Sequence, residues 1–390
     1  MTAVLTRIRE VGVIRRNNRS DWILFGTMLA LSAVGLLMIY SATRDSGTFS
    51  MERQMMFVAA GLIIYLVVSN IDYREYRGII PAASLIVLIL LVAVFLFPPE
   101  NNVNRWIPLG FFSLQPAEFA KVVVIVVLAS FLAPPVSRDE LTVPRTLSWT
   151  KMAQAVLIVA IPGYLILREP DLGTALVFGF VLVTMLFAGG AGWRQMAALS
   201  TFIGGGLLLV WQYKDRLLSE YQLDRLNVLF DPDKADPQGI AYQITQSKNA
   251  IGSGQLFGKG FLAEDSLTSF QYVPEQETDF IFTAVAEQLG LVGGLVVIVA
   301  FAVIVWRLLV IAANARDRFG ALIAAGIAAM IVFHVFVNIG MTIGIMPVTG
   351  LPLPFLSQGG SFYMAMALSL GVANSIWLMR TPVPGENQLT

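Results

Sequence analysis

Apolar residues run through this chain in blocks of about twenty, the length a helix needs to cross the hydrocarbon core of a bilayer. The blocks fall at roughly 21–42, 54–70, 78–97, 115–133, 150–167, 171–189, 193–213, 279–310, 317–345 and 359–380, predicting ten membrane-spanning helices. Between the seventh and eighth, residues 214–278 hold no apolar span. Connections of that length usually carry a function. At its start, Leu217, Leu218, Tyr221, Val228 and Leu229 fall near one helical face while Glu220, Asp224 and Arg225 are polar. This spacing predicts an amphipathic helix, lying in the headgroup plane or packed on neighbouring spans.

Cations give the spans an orientation. With the N-terminus inside, the inner segments hold Arg7, Arg9, Arg15, Arg16, Arg19, Arg74, Arg77, Arg138, Arg145, Lys151, Arg194, Arg307, Arg316, Arg318 and Arg380. The short outer segments hold only Arg44, Arg53, Arg105 and Arg168. Both termini are therefore expected in the cytoplasm, with residues 1–20 and 381–390 as tails and 214–278 as an extracytoplasmic loop. Residues 1–20 show no apolar run followed by a small-residue cleavage site, so they read as an anchor and not as a signal peptide.

Composition agrees: 56% of the 390 residues are hydrophobic and 13% charged, with a mean hydropathy of +0.71. Charge is balanced, with no basic domain to neutralise nucleic-acid phosphates. Without cysteine, and with His334 as the single histidine, disulfides, thiolate metal sites and multi-histidine centres are excluded. Chemistry must come from carboxylates, hydroxyls, amides, Lys and Arg.

Several stretches concentrate those groups. In 273-VPEQETDFIFTAVAEQLG-290, Asp279 falls in the first turn of the eighth span with Thr278 as expected N-cap, and Thr283 and Glu287 continue a polar stripe. The fourth span carries Glu118 and Lys121, opposite charges at i,i+3 that can pair. Arg168, Glu169 and Asp171 add three charges in an outer turn, and Pro170 and Asp171 mark a helix start. Gly252, Gly254, Gly258 and Gly260 invite a phosphate-loop reading. The GxxxGKG spacing is one residue short, lacks the Ser/Thr, and follows no strand, so a Walker motif is rejected; backbone contact with a pyrophosphate or a simple packed turn remain as alternatives. His334, Asn338 and Thr342 share one face of the ninth span, a pattern suited to interhelical hydrogen bonds. The proline- and glycine-rich 347–361 predicts a broken, partly re-entrant connection, buried in protein or lining a wet cavity. No paired broken helices recur in two halves, which weighs against an alternating-access carrier.

These stretches together resemble the SEDS family of polytopic peptidoglycan glycosyltransferases. The matching runs are NRWIPLG…QPAEFAK, REPDLGTA, QSKNAIGSGQLFGKG, VPEQETDFIF…EQLG and PLPFLSQGGS, in family order from about residue 20 to 380. GKG after AIGSG and MPVTGLPLPF before the last span look more like elongation-type than division-type members. The resemblance implies an all-α integral membrane protein whose polytopic domain spans 21–380. It implies polymerisation of lipid II, the lipid-linked disaccharide-pentapeptide, by inverting glycosyl transfer on the outer face, for elongation and rod shape. A division-type polymerase and a lipid II flippase are the alternatives. The family's catalytic aspartate falls on Asp279, as base for the acceptor hydroxyl. Arg105 and Lys121 are candidates for offsetting pyrophosphate charge, and Glu118, Asp171, Lys259, Glu275, Gln246 and Ser247 for substrate contacts. No cofactor is implied for certain, although a divalent ion (Mg or Mn) at Asp279 could share the cationic role. Expected partners are lipid II, membrane lipids and a class B penicillin-binding transpeptidase, and no nucleic acid. Gly293, Gly294, Gly320 and Gly326 would let the transpeptidase's membrane helix dock on spans eight and nine.

Overall fold

The computed structural model describes residues 20–44, 50–98, 103–110, 112–133, 147–217, 220–230, 239–270 and 272–380. The basic tail before residue 20, Arg138 and Arg145, Lys234, the Asp-Pro pairs at 231–237 and the tail after residue 380 lie outside the described residues.

Helices stand at all ten expected places: α1 (Trp22–Thr43), α2 (Ser50–Ser69), α3 (Tyr76–Ala93), α4 (Pro116–Leu132), α5 (Trp149–Arg168), α6 (Leu172–Ala188), α7 (Trp193–Gln212), α10 (Ile281–Asn314), α11 (Arg318–Thr342) and α12 (Gly360–Leu378). Between α7 and α10 lie a single helical turn (Lys214–Leu217), α8 (Glu220–Phe230) and α9 (Ile240–Ser253). Among the described residues, eight of these helices are long and apolar enough to cross a membrane. Ten spans were expected; ten helices stand at those places, but α4 and α6, at 17 residues each, fall short of the usual length for a crossing. The reason is local. Pro116 starts α4 late, and the turn before α6 leaves Asp171 to cap it by accepting from Thr174 N at 3.0 Å.

The bundle is layered by burial. Within the most apolar stretches of α12 and α11, 83% and 67% of residues are buried, whereas α7 buries 11% and faces outward almost all round. Polar residues fix the ends. Asp21 caps α1 through Leu24 N (3.0 Å) and binds Arg307 of α10 at 2.7 and 2.8 Å. The start of α1 and the far part of α10 therefore share one face, and the 272–280 segment before α10 lies at the opposite one.

With 34 residues α10 exceeds one bilayer crossing, and it breaks at Gly290 (φ +69°, ψ −167°). That break frees backbone groups, and the glycine run takes them up: Lys259 N donates to Glu287 O (3.0 Å), Gly260 N to Gln288 O (3.1 Å), and Leu291 N to Gln255 O (2.9 Å). A methyl group on Gly258 would lie 2.1 Å from Gln288 O, so only glycine permits the approach. Of the two readings of this run the packed turn is the one seen, because the N–H groups of Lys259 and Gly260 are spent on a helix.

Three of the four glycines suggested for docking are likewise occupied from within. Tyr73 and Ile376 cover Gly320, Ile125 and Met185 cover Gly326, and Phe282 covers Gly294.

Candidate active site

Asp279 does not sit in the first helical turn, nor is Thr278 its N-cap. The cap position is Phe280, and α10 begins at Ile281. Residues 275–280 instead form a tight turn in which Glu275 takes φ +52° and its carbonyl accepts from Asp279 N (3.0 Å) and Phe280 N (3.2 Å). Thr278 Oγ1 donates to Glu275 Oε2 (3.1 Å). The turn is held from below by α11, where Asn338 Nδ2 donates both to Asp279 O (2.8 Å) and to Leu351 O (2.7 Å). It is held from the side by Gln358 N, which donates to Glu277 O (2.8 Å).

Around this turn a cavity of about 910 Å³ opens. Its walls come from the 103–115 hairpin (Ile107–Pro108 paired antiparallel with Ser113–Leu114), the start of α6, α8, the 275–279 turn and the 350–362 stretch. The proline-rich 347–359 connection is indeed non-helical, mostly buried, and lines this cavity through Gly350, Pro352, Gln358 and Gly359. A methyl group on Gly350 (φ +72°) would lie 3.2 Å from Asp279 Oδ2 and 3.9 Å from Arg225 Nη2. A glycine here thus lets the main chain run beside the carboxylate and a cation together.

Five of the nine residues proposed for catalysis or substrate contact line the cavity: Arg105, Glu118, Asp171, Glu275 and Asp279. Arg225 joins them, although its spacing marks it only as one polar position of an amphipathic helix. Nothing in its spacing shows that α8 turns this side chain toward Asp279. Burial, and then the Glu275 carboxylate, push Asp279 up to about 7, while Arg225 and Arg105 pull it down and Asp171 again pushes it up. Arg105 is fixed by donating from Nε to Glu169 O (3.0 Å) and from Nη2 to Pro170 O (2.5 Å).

The remaining candidates are placed elsewhere. Lys121 is fully buried behind the wall, with Nζ 2.8 Å from Glu118 Oε2 and 3.0 Å from His334 Nε2. Ser247 bonds Thr283 Oγ1 (2.6 Å) and Thr342 O (2.8 Å), which joins α9 to α10 and α11. Gln246 is half-buried on the same helix and does not line the cavity. Lys259 Nζ reaches Glu287 (3.3 Å) and Asp265 O (3.0 Å). Glu287 is the hub of that region: buried, it accepts from Leu267 N (2.7 Å), Thr268 N (2.9 Å) and Thr268 Oγ1 (2.6 Å). Lys259, Ser247 and Glu287 therefore fasten the 240–270 loop to the bundle and do not reach the cavity. Among the described residues, no three His, Asp or Glu side chains converge as metal ligands, so the divalent ion considered at Asp279 would find no ready cage.

Fold and cavity define a multi-pass membrane protein with a cluster of carboxylates and arginines at one end of its bundle. The chain belongs to the FtsW/RodA/SpoVE family, described as cell cycle proteins, whose pattern it matches over residues 21–381. It is 38% identical over 351 residues to the peptidoglycan glycosyltransferase MrdB of Escherichia coli K12, covering 90% of this chain and 91% of that one. It is 36% identical over 364 residues to the stage V sporulation protein E of Bacillus subtilis, covering 90% and 95%. Among solved structures, it resembles a chain from work on coordination of polymerization and crosslinking by a peptidoglycan synthase complex (TM-score 0.75, 27% identity, 92% and 98% covered). It also resembles the rod shape determining protein RodA of Thermus thermophilus (TM-score 0.66, 26% identity, 94% and 99% covered).

Proposed function

We propose that this chain is a peptidoglycan glycosyltransferase that polymerises lipid II on the outer face of the bacterial cytoplasmic membrane, in cell elongation, working beside a class B penicillin-binding transpeptidase. The observation that carries this reading is a carboxylate shifted to about 7 in a cavity that also presents two arginines. A base is most effective when its pKa lies near the working pH. Asp279 takes the proton of the acceptor sugar hydroxyl as that oxygen attacks the donor's anomeric carbon. Arg105 and Arg225 offset the negative charge growing on the leaving pyrophosphate. One displacement of this kind inverts the anomeric centre and needs no carboxylate nucleophile. Purified protein given fluorescent lipid II should form glycan polymer. A protein that only moves the lipid between leaflets would form none.

The pH dependence follows from the groups around Asp279. The base must be ionised, so kcat/KM should rise with pH through about 7. Glu275→Gln removes the carboxylate that raises Asp279 and should move this limb to lower pH; Arg225→Gln removes a cation that lowers it and should move the limb up. Limbs that stay in place in both variants would take the base role away from Asp279.

Topology is testable in a chain with no native cysteine. Asp265 is exposed near the Glu287 end of α10, and Arg316 is exposed just past its other end. Asp265→Cys should react with a membrane-impermeant maleimide in intact spheroplasts and Arg316→Cys only after permeabilisation; the reverse pattern would invert the proposed orientation.

A further inference from the structure

Glu169 closes α5 and stands directly before the Pro170–Asp171 turn that lines the cavity. Its side chain has no solvent exposure, and neither carboxyl oxygen has a hydrogen-bond partner. An ionised carboxylate there would be a buried charge without compensation, and such groups are kept neutral instead. Burial, and then the Asp171 carboxylate at the start of α6, push Glu169 up to about 8, with Arg105 of the hairpin segment pulling the other way. Arg105 is the cation beside this carboxyl, yet its Nε and Nη2 are given to the main-chain carbonyls of Glu169 and Pro170.

We propose that Glu169 is a positioning residue for Arg105: as a neutral acid it leaves the guanidinium clamped on two carbonyls at the cavity wall, and on ionising it draws the guanidinium off them toward its own carboxylate. The same residue thus supplies a carbonyl that holds Arg105 in place and a carboxyl whose proton keeps that hold intact. The proposal rests on the polymerase reading, in which Arg105 meets the pyrophosphate of the donor. It adds an alkaline limit: kcat/KM should rise through the ionisation of Asp279 and fall through that of Glu169, with a narrow optimum between.

The test compares the full-length wild type with Glu169→Gln, which keeps the shape and cannot ionise, in lipid II polymerisation between about pH 6 and 9.5. A single ionisation lowers the rate about tenfold per pH unit beyond its pKa. The wild type should show that fall above about pH 8. The Gln variant should stay within about twofold of wild type at pH 7.5 and lose the alkaline fall. A wild type with no alkaline fall, a Gln variant that keeps it, or a folded Gln variant more than about tenfold slower at pH 7.5 would overturn the proposal. Infrared titration supplies a readout independent of turnover. Beside the Asp279 band that both proteins share, the wild type should show a second protonated-carboxyl band that vanishes between about pH 7 and 9 and is missing from Glu169→Gln. If no polymer forms but this second band behaves as stated, the polymerase reading fails while the neutral Glu169 stands; a second band absent from the wild type removes the positioning role outright.

Discussion

Asp279→Asn should reduce lipid II polymerisation by about 10²- to 10⁴-fold, the usual contribution of a general base, while making the protein more stable at neutral pH. The opposite signs share one cause. The cavity wall holds Asp279 where its proton is bound more tightly than in the unfolded chain, at about 7 against the ordinary 3.8. For an acid raised in this way, stability is greatest below the unfolded value and is lost as pH climbs from about 4 to about 7. The loss is on the order of 4 kcal/mol once both forms are ionised. Asparagine has no proton to lose and escapes that cost, so Tm of the variant at pH 8 should exceed that of the wild type, and the difference should shrink toward pH 5. A variant that polymerises within about threefold of wild type, a barrier change under ~1 kcal/mol, would exclude Asp279 as the base.

Lys121→Met is expected to destabilise the fold by about 3–5 kcal/mol, the range for removing one partner of a buried ion pair. Both side chains of the pair are at most 3% exposed, and their separation is 2.8 Å. His334 extends the pair. Its Nδ1 faces Pro352 O (3.1 Å) and is best satisfied as the protonated nitrogen, which leaves Nε2 to accept from the Lys121 ammonium. Pro352 lines the cavity, so the chain Glu118–Lys121–His334 ties the cavity wall of α4 to that of the 350–362 stretch. The double change Glu118→Gln with Lys121→Met should recover much of the lost stability, because no buried charge is left alone. Reversing the pair, Glu118→Lys with Lys121→Glu, should recover little, since a carboxylate at 121 would face the lone pair of His334. Thermal unfolding in detergent measures all three. A Lys121→Met protein with unchanged Tm and abolished polymerisation would instead give Lys121 a direct part in the chemistry.

Much of this protein is written in local pattern. Apolar blocks marked all ten helices, because contrast between apolar and polar runs is a property of neighbouring residues and the bilayer enforces it on every segment. The same logic placed a helix start at Pro170 and Asp171 and a broken connection at 347–361, of which 347–359 is the non-helical cavity wall. Asp279 stood out from its expected place in the first turn of a span and through resemblance to a family. The boundary at Asp279 was less legible: the turn before α10 is closed by Glu275, Asn338 and Gln358, and a propensity for capping could not register contacts made across such distances.

What the sequence left open was decided by partners far away along the chain. Glu118 and Lys121 were visible as a pair, but not that His334, 213 positions from Lys121, would take the ammonium away from the cavity. Lys259 and Ser247 lie in the same family-like run that suggested substrate contacts, and packing turned them to Glu287 and Thr283. Arg225 gave no sign that it would share Gly350's flank with Asp279. Local runs of apolar residues determined which segments form the long helices of this multi-pass membrane protein, and with that the architecture. Which charged groups meet in the cavity, and which are spent in holding it together, depends on how helices of fixed direction bring remote side chains within a few ångströms, and only the tertiary structure settles that.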